Sequence, residues 1–147
     1  MPTNLGEPTT IDWRGTPPHM LREDIPVWSI FMDKYGSLFL RVYYDTLVGG
    51  PWLTPEEEKD RLKWMWRYNN SKRPDIIAER ETEVWIIEVA TRPGLRAIGQ
   101  LLTYSALWLE DPKINKLEKM VLVAQAIDTD LISAASKYGI STYIITL

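Results

Sequence analysis

Two short apolar runs near the middle of the chain carry its clearest pattern. Residues 76–78 read Ile-Ile-Ala and residues 84–87 read Val-Trp-Ile-Ile, with the polar stretch 80–83 between them. Runs rich in β-branched and aromatic residues that flank a short polar stretch predict two strands joined by a tight turn. The sequence therefore predicts a β-hairpin at this point.

Helical and alternating patterns flank the predicted hairpin. They predict helices at 21–35, 55–68, 95–109 and 128–138, and further strands at 37–48, 119–126 and 140–146. The second helix has the strongest start signal, because Thr54 and Glu57 form a capping-box pattern around Pro55. The resulting order, α-β-α-β-β-α-β-α-β, predicts one α/β domain over residues 21–147.

Two of these elements also predict which side chains share a face. In the strand at 37–48, alternation places one set together: Leu38, Leu40, Val42 and Tyr44. In the helix at 95–109, another set forms the apolar stripe: Leu95, Ile98, Leu102 and Leu109. We expect each set to mark one face of its element.

The first 20 residues differ from the rest of the chain. Four prolines lie among Thr, Asn and Gly in residues 1–20, a mixture that favours extended backbone. We expect an extended Pro-rich arm with too few apolar residues to fold back unaided, so that a partner surface would hold it. His19, alone in this stretch, is given no role.

Composition narrows the chemistry more than the fold. With 147 residues and 45% hydrophobic content, the chain suits one globular domain. A formal charge of -3 argues against a uniformly basic nucleic-acid binder, although DNA remains possible. No cysteine and one histidine exclude thiolate and histidine-based metal sites, so any metal must be held by oxygen. We see no signal peptide or membrane span and expect a soluble, intracellular protein.

Two carboxylates come together if the hairpin has one particular register. Asp75 precedes the first strand and Glu88 lies in the second. With Glu81-Thr82 as a two-residue loop, Asp75 lies directly across from Glu88, with Cβ atoms about 5 Å apart. Paired carboxylates repel unless a divalent cation or a shared proton offsets their charge, so the pair predicts a Mg²⁺ site. A one-residue slip would separate them, and Glu-Thr lacks the Gly or Asn that such loops prefer.

The residues around this pair resemble the PD-(D/E)XK nuclease superfamily. An Arg-Pro-Asp sequence ends at Asp75, a strand carries Glu88, and the next helix has Gln100 and Tyr104, similar to the Gln-x-x-x-Tyr motif of the RecB-like branch. The resemblance spans about residues 22–146. It implies a restriction-endonuclease-like core, with a mixed central sheet flanked by helices, and a face of Gln100 and Tyr104 turned to the metal-site strand or to a nucleotide.

The resemblance also implies roles for individual residues. In the superfamily the Asp and the Glu hold Mg²⁺ or Mn²⁺, and the residue after the Glu lends its backbone carbonyl. Carried over, Asp75 and Glu88 would be metal ligands, with the Val89 carbonyl as a third. A further acid often comes from the first helix, where Glu23 or Asp24 would serve.

The motif departs from the superfamily at its lysine. Two residues after Glu88 stands Ala90, which can neither donate a hydrogen bond nor stabilise negative charge. A cation from another position would have to replace it, and the candidates are Arg92, Arg96, Lys72 and Arg73. Arginine stays protonated, so it would supply charge to the catalytic site but hardly proton transfer.

Each signal has an ordinary structural alternative. Asp75 can be a strand-entry residue after proline, and Glu88 can pair with Arg92 or Arg96. Gln100 and Tyr104 can be contacts at the edge of the core. The combination of these signals at hairpin register favours the site.

An aromatic and basic segment covers the end of the second predicted helix and the stretch that leads to the hairpin. Trp64, Trp66 and Tyr68 alternate there with Lys63 and Arg67, and further cations follow. Such a segment suits base stacking and phosphate contact, or else rings packed under the sheet with solvated cations. The seven tryptophans of the chain also favour protein interfaces.

Two functions follow from these observations. The first is a nuclease-fold protein with an incomplete active site, a structural or DNA-proximal component of a larger assembly such as a bacteriophage head or tail. Its arm and aromatic patches would contact partner proteins or further copies, and its location would be the virion. The alternative is an active Mg²⁺-dependent deoxyribonuclease that hydrolyses phosphodiester bonds. A third possibility is a module that binds DNA ends without cutting them.

Overall fold

A six-stranded mixed sheet runs through residues 2–147, the part of the chain that the computed structural model describes. Its strands are β1 (Pro8–Thr9), β2 (Arg41–Tyr43), β3 (Ile76–Glu79), β4 (Glu83–Ala90), β5 (Leu117–Ala124) and β6 (Ile140–Ile144). The α-helices are α1 (Ile25–Tyr35), α2 (Arg61–Asn70), α3 (Leu95–Glu110) and α4 (Thr129–Lys137). The expected α/β class and mixed sheet are confirmed, and α1, α4, β5 and β6 lie close to their predicted positions.

The strands lie side by side in the order of the sequence. Pairs from β1 to β4 are antiparallel, whereas β4, β5 and β6 are parallel to one another. Parallel neighbours need a crossover connection, and α3 and α4 provide the two crossovers. Within residues 2–147 no helix combines the length and apolar character that crossing a membrane requires.

The β3–β4 hairpin has the predicted register. Ile76 pairs with Ile87 and Ala78 pairs with Trp85. The Arg80 N–H donates a hydrogen bond of 2.8 Å to the Glu83 carbonyl, which closes the two-residue loop. The same register, continued one residue beyond β3, sets Asp75 opposite Glu88.

Successive residues of β4 pack on opposite sides of the sheet. Trp85 and Ile87 belong to the core cluster under α1, whereas Ile86 belongs to the cluster under α3 and α4. Glu88 follows Ile86 at a spacing of two residues and therefore points to the α3 side. Asp75 shares that side with Ile77, which also packs under α3. The sheet thus directs both acids toward the same helix.

The predicted helix at 55–68 begins later than expected. The capping box does form, because the Thr54 N–H contacts Glu57 Oε1 at 3.2 Å and the Glu57 N–H contacts Thr54 Oγ1 at 3.1 Å. It starts only a 3₁₀ turn, and α2 begins after Asp60, whose backbone is extended and whose Oδ1 accepts from the Leu62 N–H at 2.9 Å. A second N-cap therefore interrupts what the sequence predicted as one helix.

The predicted strand at 37–48 is largely wrong. A 3₁₀ turn occupies Gly36–Leu38, and β2 is only three residues long. The predicted shared face is absent, because Leu40 is 52% exposed whereas Val42 is fully buried. β2 pairs through three residues with β3, itself only four residues long, and a strand extends only where a neighbour completes its hydrogen bonds.

The apolar stripe predicted for α3 is also wrong in part. Leu95 and Leu109 are 82% and 54% exposed. The buried face instead consists of Ala97, Ile98, Leu101, Tyr104, Ser105 and Trp108. The predicted stripe was based on aliphatic residues alone, whereas α3 also packs through small and aromatic side chains.

The N-terminal segment lies against the domain, which corrects the expectation that it could not fold back unaided. β1 pairs with β2, and Asn4 and Leu47 exchange backbone hydrogen bonds of 2.9 and 2.8 Å. The buried Arg67 guanidinium donates to the Pro2 carbonyl. These hydrogen bonds act together with apolar packing, since Met20 and Ile11 belong to one core cluster and Leu5 packs on the other.

Candidate functional site

A cavity of about 860 Å³ opens at the end of the hairpin away from its turn. Its wall includes residues from the N-terminal segment, the stretch after α2, the two hairpin strands and α3. Five of the six predicted site residues line it: Asp75, Glu88, Val89, Gln100 and Tyr104. Arg92, the sixth, is not among the lining residues.

The acid pair is held by the hairpin itself. Asp75 and Glu88 are each 8% exposed, and the Val89 N–H donates a hydrogen bond of 2.9 Å to Asp75 Oδ2. Glu88 Oε1 is buried and has no hydrogen-bond partner among the described residues. An unsatisfied buried carboxylate oxygen is costly, so its presence on a cavity wall marks a place for a ligand.

Both acids hold protons more tightly than usual. Burial raises the pKa of Glu88 to about 9, with further contributions from the charges of Asp75 and Asp24. Burial also raises the pKa of Asp75 to about 6, although the Val89 N–H and a hydrogen bond with Glu88 oppose the rise. Near neutral pH the two carboxyl groups therefore share a proton, which a divalent cation would displace.

Asp24 brings a third carboxylate to the cavity. It is 5% exposed, and its Oδ1 accepts hydrogen bonds from the Thr91 N–H at 2.8 Å and the Thr91 hydroxyl at 2.9 Å. Of the two acids that the sequence offered here, Asp24 lines the cavity and Glu23 does not. The Thr91 contacts fix Asp24 at the end of β4, from where its charge reaches both members of the pair.

Gln100 and Tyr104 face the acids from α3. They lie one helical turn apart and both line the cavity. Burial raises the pKa of the Tyr104 phenol, and the charges of Glu88 and Asp75 raise it further. The phenol therefore stays protonated at any physiological pH and can act only through hydrogen bonds.

Three cations line the cavity: Lys72, Arg73 and Arg96. The backbone of Lys72 is paired with Val48 through two hydrogen bonds of 2.9 Å. The Arg73 guanidinium lies 4.8 Å from the centre of the Tyr68 ring. Ala90 is also in the wall, on the same side of β4 as Glu88. The positive charge thus comes from parts of the chain other than β4, the strand that carries Glu88.

Two glycines shape the turn beside these cations. Gly49 and Gly50 have φ angles of 64° and 83°, which other residues rarely adopt. A Cβ atom at Gly50 would also overlap Ser71 Oγ. The turn is therefore packed directly on the backbone that leads to Lys72 and Arg73.

The residues at the cavity suit a divalent cation of the magnesium type. Mg²⁺ in proteins commonly uses one or two carboxylates and completes its shell with water and substrate phosphate oxygens. Asp75 and Glu88 supply two carboxylates, one with a free oxygen. Within residues 2–147 no group of three or more acidic, histidine or cysteine side chains is placed to hold a metal ion. The pair therefore fits a site completed by water and substrate.

Sequence reasoning missed the part of the wall that the N-terminal segment contributes. Pro18, His19, Met20 and Leu21 all line the cavity. The backbone contacts that bring this segment to the domain are long-range, and no local pattern predicts them. The one available signal was that His19 is the only histidine in the sequence.

No protein-family model, curated protein or solved structure matches this chain. The site therefore has to be interpreted from its own geometry.

Proposed function

We propose that this protein is a Mg²⁺-dependent nuclease that hydrolyses phosphodiester bonds in DNA, with its active site in the cavity of about 860 Å³. The observation that carries the proposal is the buried pair Asp75 and Glu88, whose Oε1 has no partner in the described structure. A purely structural pair would gain stability from a neighbouring cation or from replacement by apolar residues. Neither acid of this pair takes part in a salt bridge among the described residues, and both stand on the wall of a large cavity.

The residues divide into two roles. Asp75 and Glu88, together with the Val89 carbonyl, would hold Mg²⁺ or Mn²⁺, and the ion when bound would supply Lewis-acid stabilisation of the phosphate. Lys72, Arg73 and Arg96 bind and orient the phosphodiester through charge. Gln100 and Tyr104 contribute hydrogen bonds from α3, since neither side chain carries charge at neutral pH.

The absence of the superfamily lysine at Ala90 does not remove positive charge from the site. Lys72, Arg73 and Arg96 all line the cavity, whereas the expected substitute Arg92 does not. Charge that stabilises a developing phosphorane acts through space, so its source can be another element. The proposal therefore places the electrostatic role on these three residues.

A cleavage assay with matched glutamate variants tests the proposal. Linear and circular DNA are incubated with the wild-type protein, Glu88→Gln and Glu110→Gln in Mg²⁺ and in Mn²⁺. Glu110 is an exposed glutamate at the end of α3 and serves as the control. We expect cleavage by the wild type and by Glu110→Gln, and none by Glu88→Gln. Absence of cleavage by the wild type in both metals would overturn the proposal.

A second candidate function is a structural component of a larger assembly, such as a bacteriophage head or tail. The observation in its favour is an exposed apolar strip on α2, where Leu62, Met65 and Trp66 are 79%, 44% and 54% exposed at helical spacing. This function predicts a defined oligomer that dissociates in the variant Leu62→Ser/Trp66→Ser. A monomeric wild type by light scattering would count against it.

A further inference from the structure

The N-terminal segment places the only histidine of the sequence on the wall of the cavity. His19 lines the same cavity as Asp75 and Glu88, and its side chain is 11% exposed. It comes from a part of the chain far in sequence from the acids. Its position is set by the contacts of this segment with β2 and α2.

Two side chains fix the orientation of the His19 ring. Nε2 lies 2.5 Å from Asp45 Oδ1, just after β2, and 3.3 Å from the Tyr68 hydroxyl on α2. The His19 and Tyr68 rings are in contact, with centroids 5.9 Å apart. Three separate segments of the chain therefore meet at one imidazole.

These contacts determine which ring nitrogen is basic. An ionised carboxylate can only accept a hydrogen bond, so in the neutral ring Nε2 carries the proton and donates it to Asp45. Nδ1 then keeps its lone pair. It has no hydrogen-bond partner among the described residues and is not one of the side-chain nitrogens sealed from solvent.

We infer that His19, held by Asp45 and Tyr68, is the general base of the cavity and takes over the proton transfer that Ala90 cannot perform. The inference rests on the proposed nuclease function. The His19 Nδ1 accepts one proton of the attacking water as the water oxygen bonds to phosphorus. The bond from phosphorus to the leaving sugar oxygen breaks, and that oxygen takes a proton from solvent.

The charges around His19 define the setting of this step. Asp45 and the Tyr68 phenol contact the imidazole directly. The Arg73 guanidinium lies over the Tyr68 ring. The remaining charged groups of the same cavity wall are Lys72, Arg96, Asp24, Asp75 and Glu88. Arginine stays protonated, and Asp75 and Glu88 are assigned to the ion, so the free ring nitrogen of His19 is left as the proton acceptor of this wall.

Cleavage kinetics with matched variants test the inference. The variants are His19→Gln and, as a control, Asp33→Asn, which breaks the exposed Arg14–Asp33 ion pair of 2.9 Å that holds the same segment on α1. A general base contributes about 10²- to 10⁴-fold, so we expect His19→Gln to lose that much in cleavage rate in Mg²⁺. Asp33→Asn should retain the wild-type rate.

A second variant separates chemistry from folding. His19→Ala leaves room in the cavity for free imidazole, and added imidazole should restore cleavage in this variant only. Since the chain has one histidine, its ring protons give isolated NMR signals. We expect them to shift when a short oligothymidylate is added without metal, because the base must lie beside the bound backbone.

The possible outcomes distinguish the inference from the proposed function. Cleavage by the wild type with equal cleavage by His19→Gln overturns the inference and leaves the nuclease function standing. No cleavage by the wild type overturns both. Ring signals that do not respond to oligothymidylate, or His19→Ala activity that imidazole does not restore, also overturn the role of His19.

Discussion

The two ends of the β3–β4 hairpin treat a buried glutamate in opposite ways. Near the turn, Glu79 is 8% exposed and contacts two cations, Arg41 at 2.6 Å and Lys116 at 2.7 Å. At the open end, Glu88 is also 8% exposed, but its neighbour is another acid, Asp75. The two glutamates share a hairpin, a residue type and a degree of burial.

Their proton affinities differ accordingly. Burial would raise the pKa of Glu79, but hydrogen bonds and charges from Lys116 and Arg41 lower it overall. Burial and the charge of Asp75 together raise the pKa of Glu88 to about 9. The fold therefore places two cations in direct contact with the acid near the turn, whereas the cations of the cavity wall form no salt bridge with Glu88 or Asp75 among the described residues. This contrast is what we would expect of a site that receives its positive charge from a bound ion.

The largest expected effect is on the cleavage rate, which should fall when an acid at the open end of the hairpin is replaced but not when Glu79 is replaced. Asp75→Asn should reduce Mg²⁺-dependent cleavage by at least about 10³-fold, because a metal contributes several kcal/mol to the stabilisation of the transition state. Glu79→Gln should leave the cleavage rate within a few-fold of the wild type, since Glu79 lies at the other end of the hairpin. Equal losses in both variants would show that the acids act only through folding.

Stability should change in opposite directions at the two ends, beginning with Glu88. Glu88→Gln should raise the free energy of unfolding at pH 8 by roughly 2–4 kcal/mol, since each unit of pKa difference is about 1.4 kcal/mol. The folded pKa is raised from the ordinary 4.5 to about 9, so the contribution of this carboxyl group to stability is most favourable below pH 4.5 and falls as the pH rises toward 9. Urea denaturation at pH 5 and pH 8 measures this, and an equal gap at both pH values would contradict it.

Glu79 should show the reverse sign. Glu79→Gln should lower the free energy of unfolding near pH 7 by about 1–3 kcal/mol, because two cations lose their charged partner. The folded pKa of Glu79 is lowered, so its contribution is present above the ordinary carboxyl range and disappears as the pH falls through the folded value. The same denaturation series measures it. A variant as stable as the wild type at pH 7 would refute the structural role.

The smallest expected effect comes from adding a cation beside Glu88, so that both ends of the hairpin pair a buried glutamate with positive charge. Ala90→Lys places a cation on the same side of β4 as Glu88, and it should lower the pKa of Glu88 and flatten the pH dependence of stability. If charge limits the reaction, cleavage should rise about tenfold, equivalent to about 1.4 kcal/mol. Ala90→Met, which is similar in length but neutral, is the control. A gain in both variants would point to packing instead of charge.

The sequence predicted the centre of this site better than its surroundings. Asp75 and Glu88 follow from hairpin register, which depends on a local loop and a period of two residues. Gln100 and Tyr104 follow from helical spacing. In both cases the information lies within one or two neighbouring elements, so a local pattern is enough.

The missed features depend on distant parts of the chain. No local pattern brings His19 to Asp45 and Tyr68, because this placement comes from how the N-terminal segment packs on the sheet. The misplaced start of α2 has a local cause, since Thr54 and Asp60 are both good N-caps and propensity alone does not choose between them. Of the four candidate cations, Arg92 does not line the cavity, although it lies nearest to Glu88 in sequence.

The tight approach of Gly50 to Ser71 has a consequence for how this protein tolerates change. A methyl group at position 50 would overlap Ser71, so the backbone at and after Ser71 would have to shift away from the turn. The basic side chains next in sequence, Lys72 and Arg73, would move with it. A substitution in this turn, which carries neither acid of the cavity, is thus expected to reduce the proposed activity.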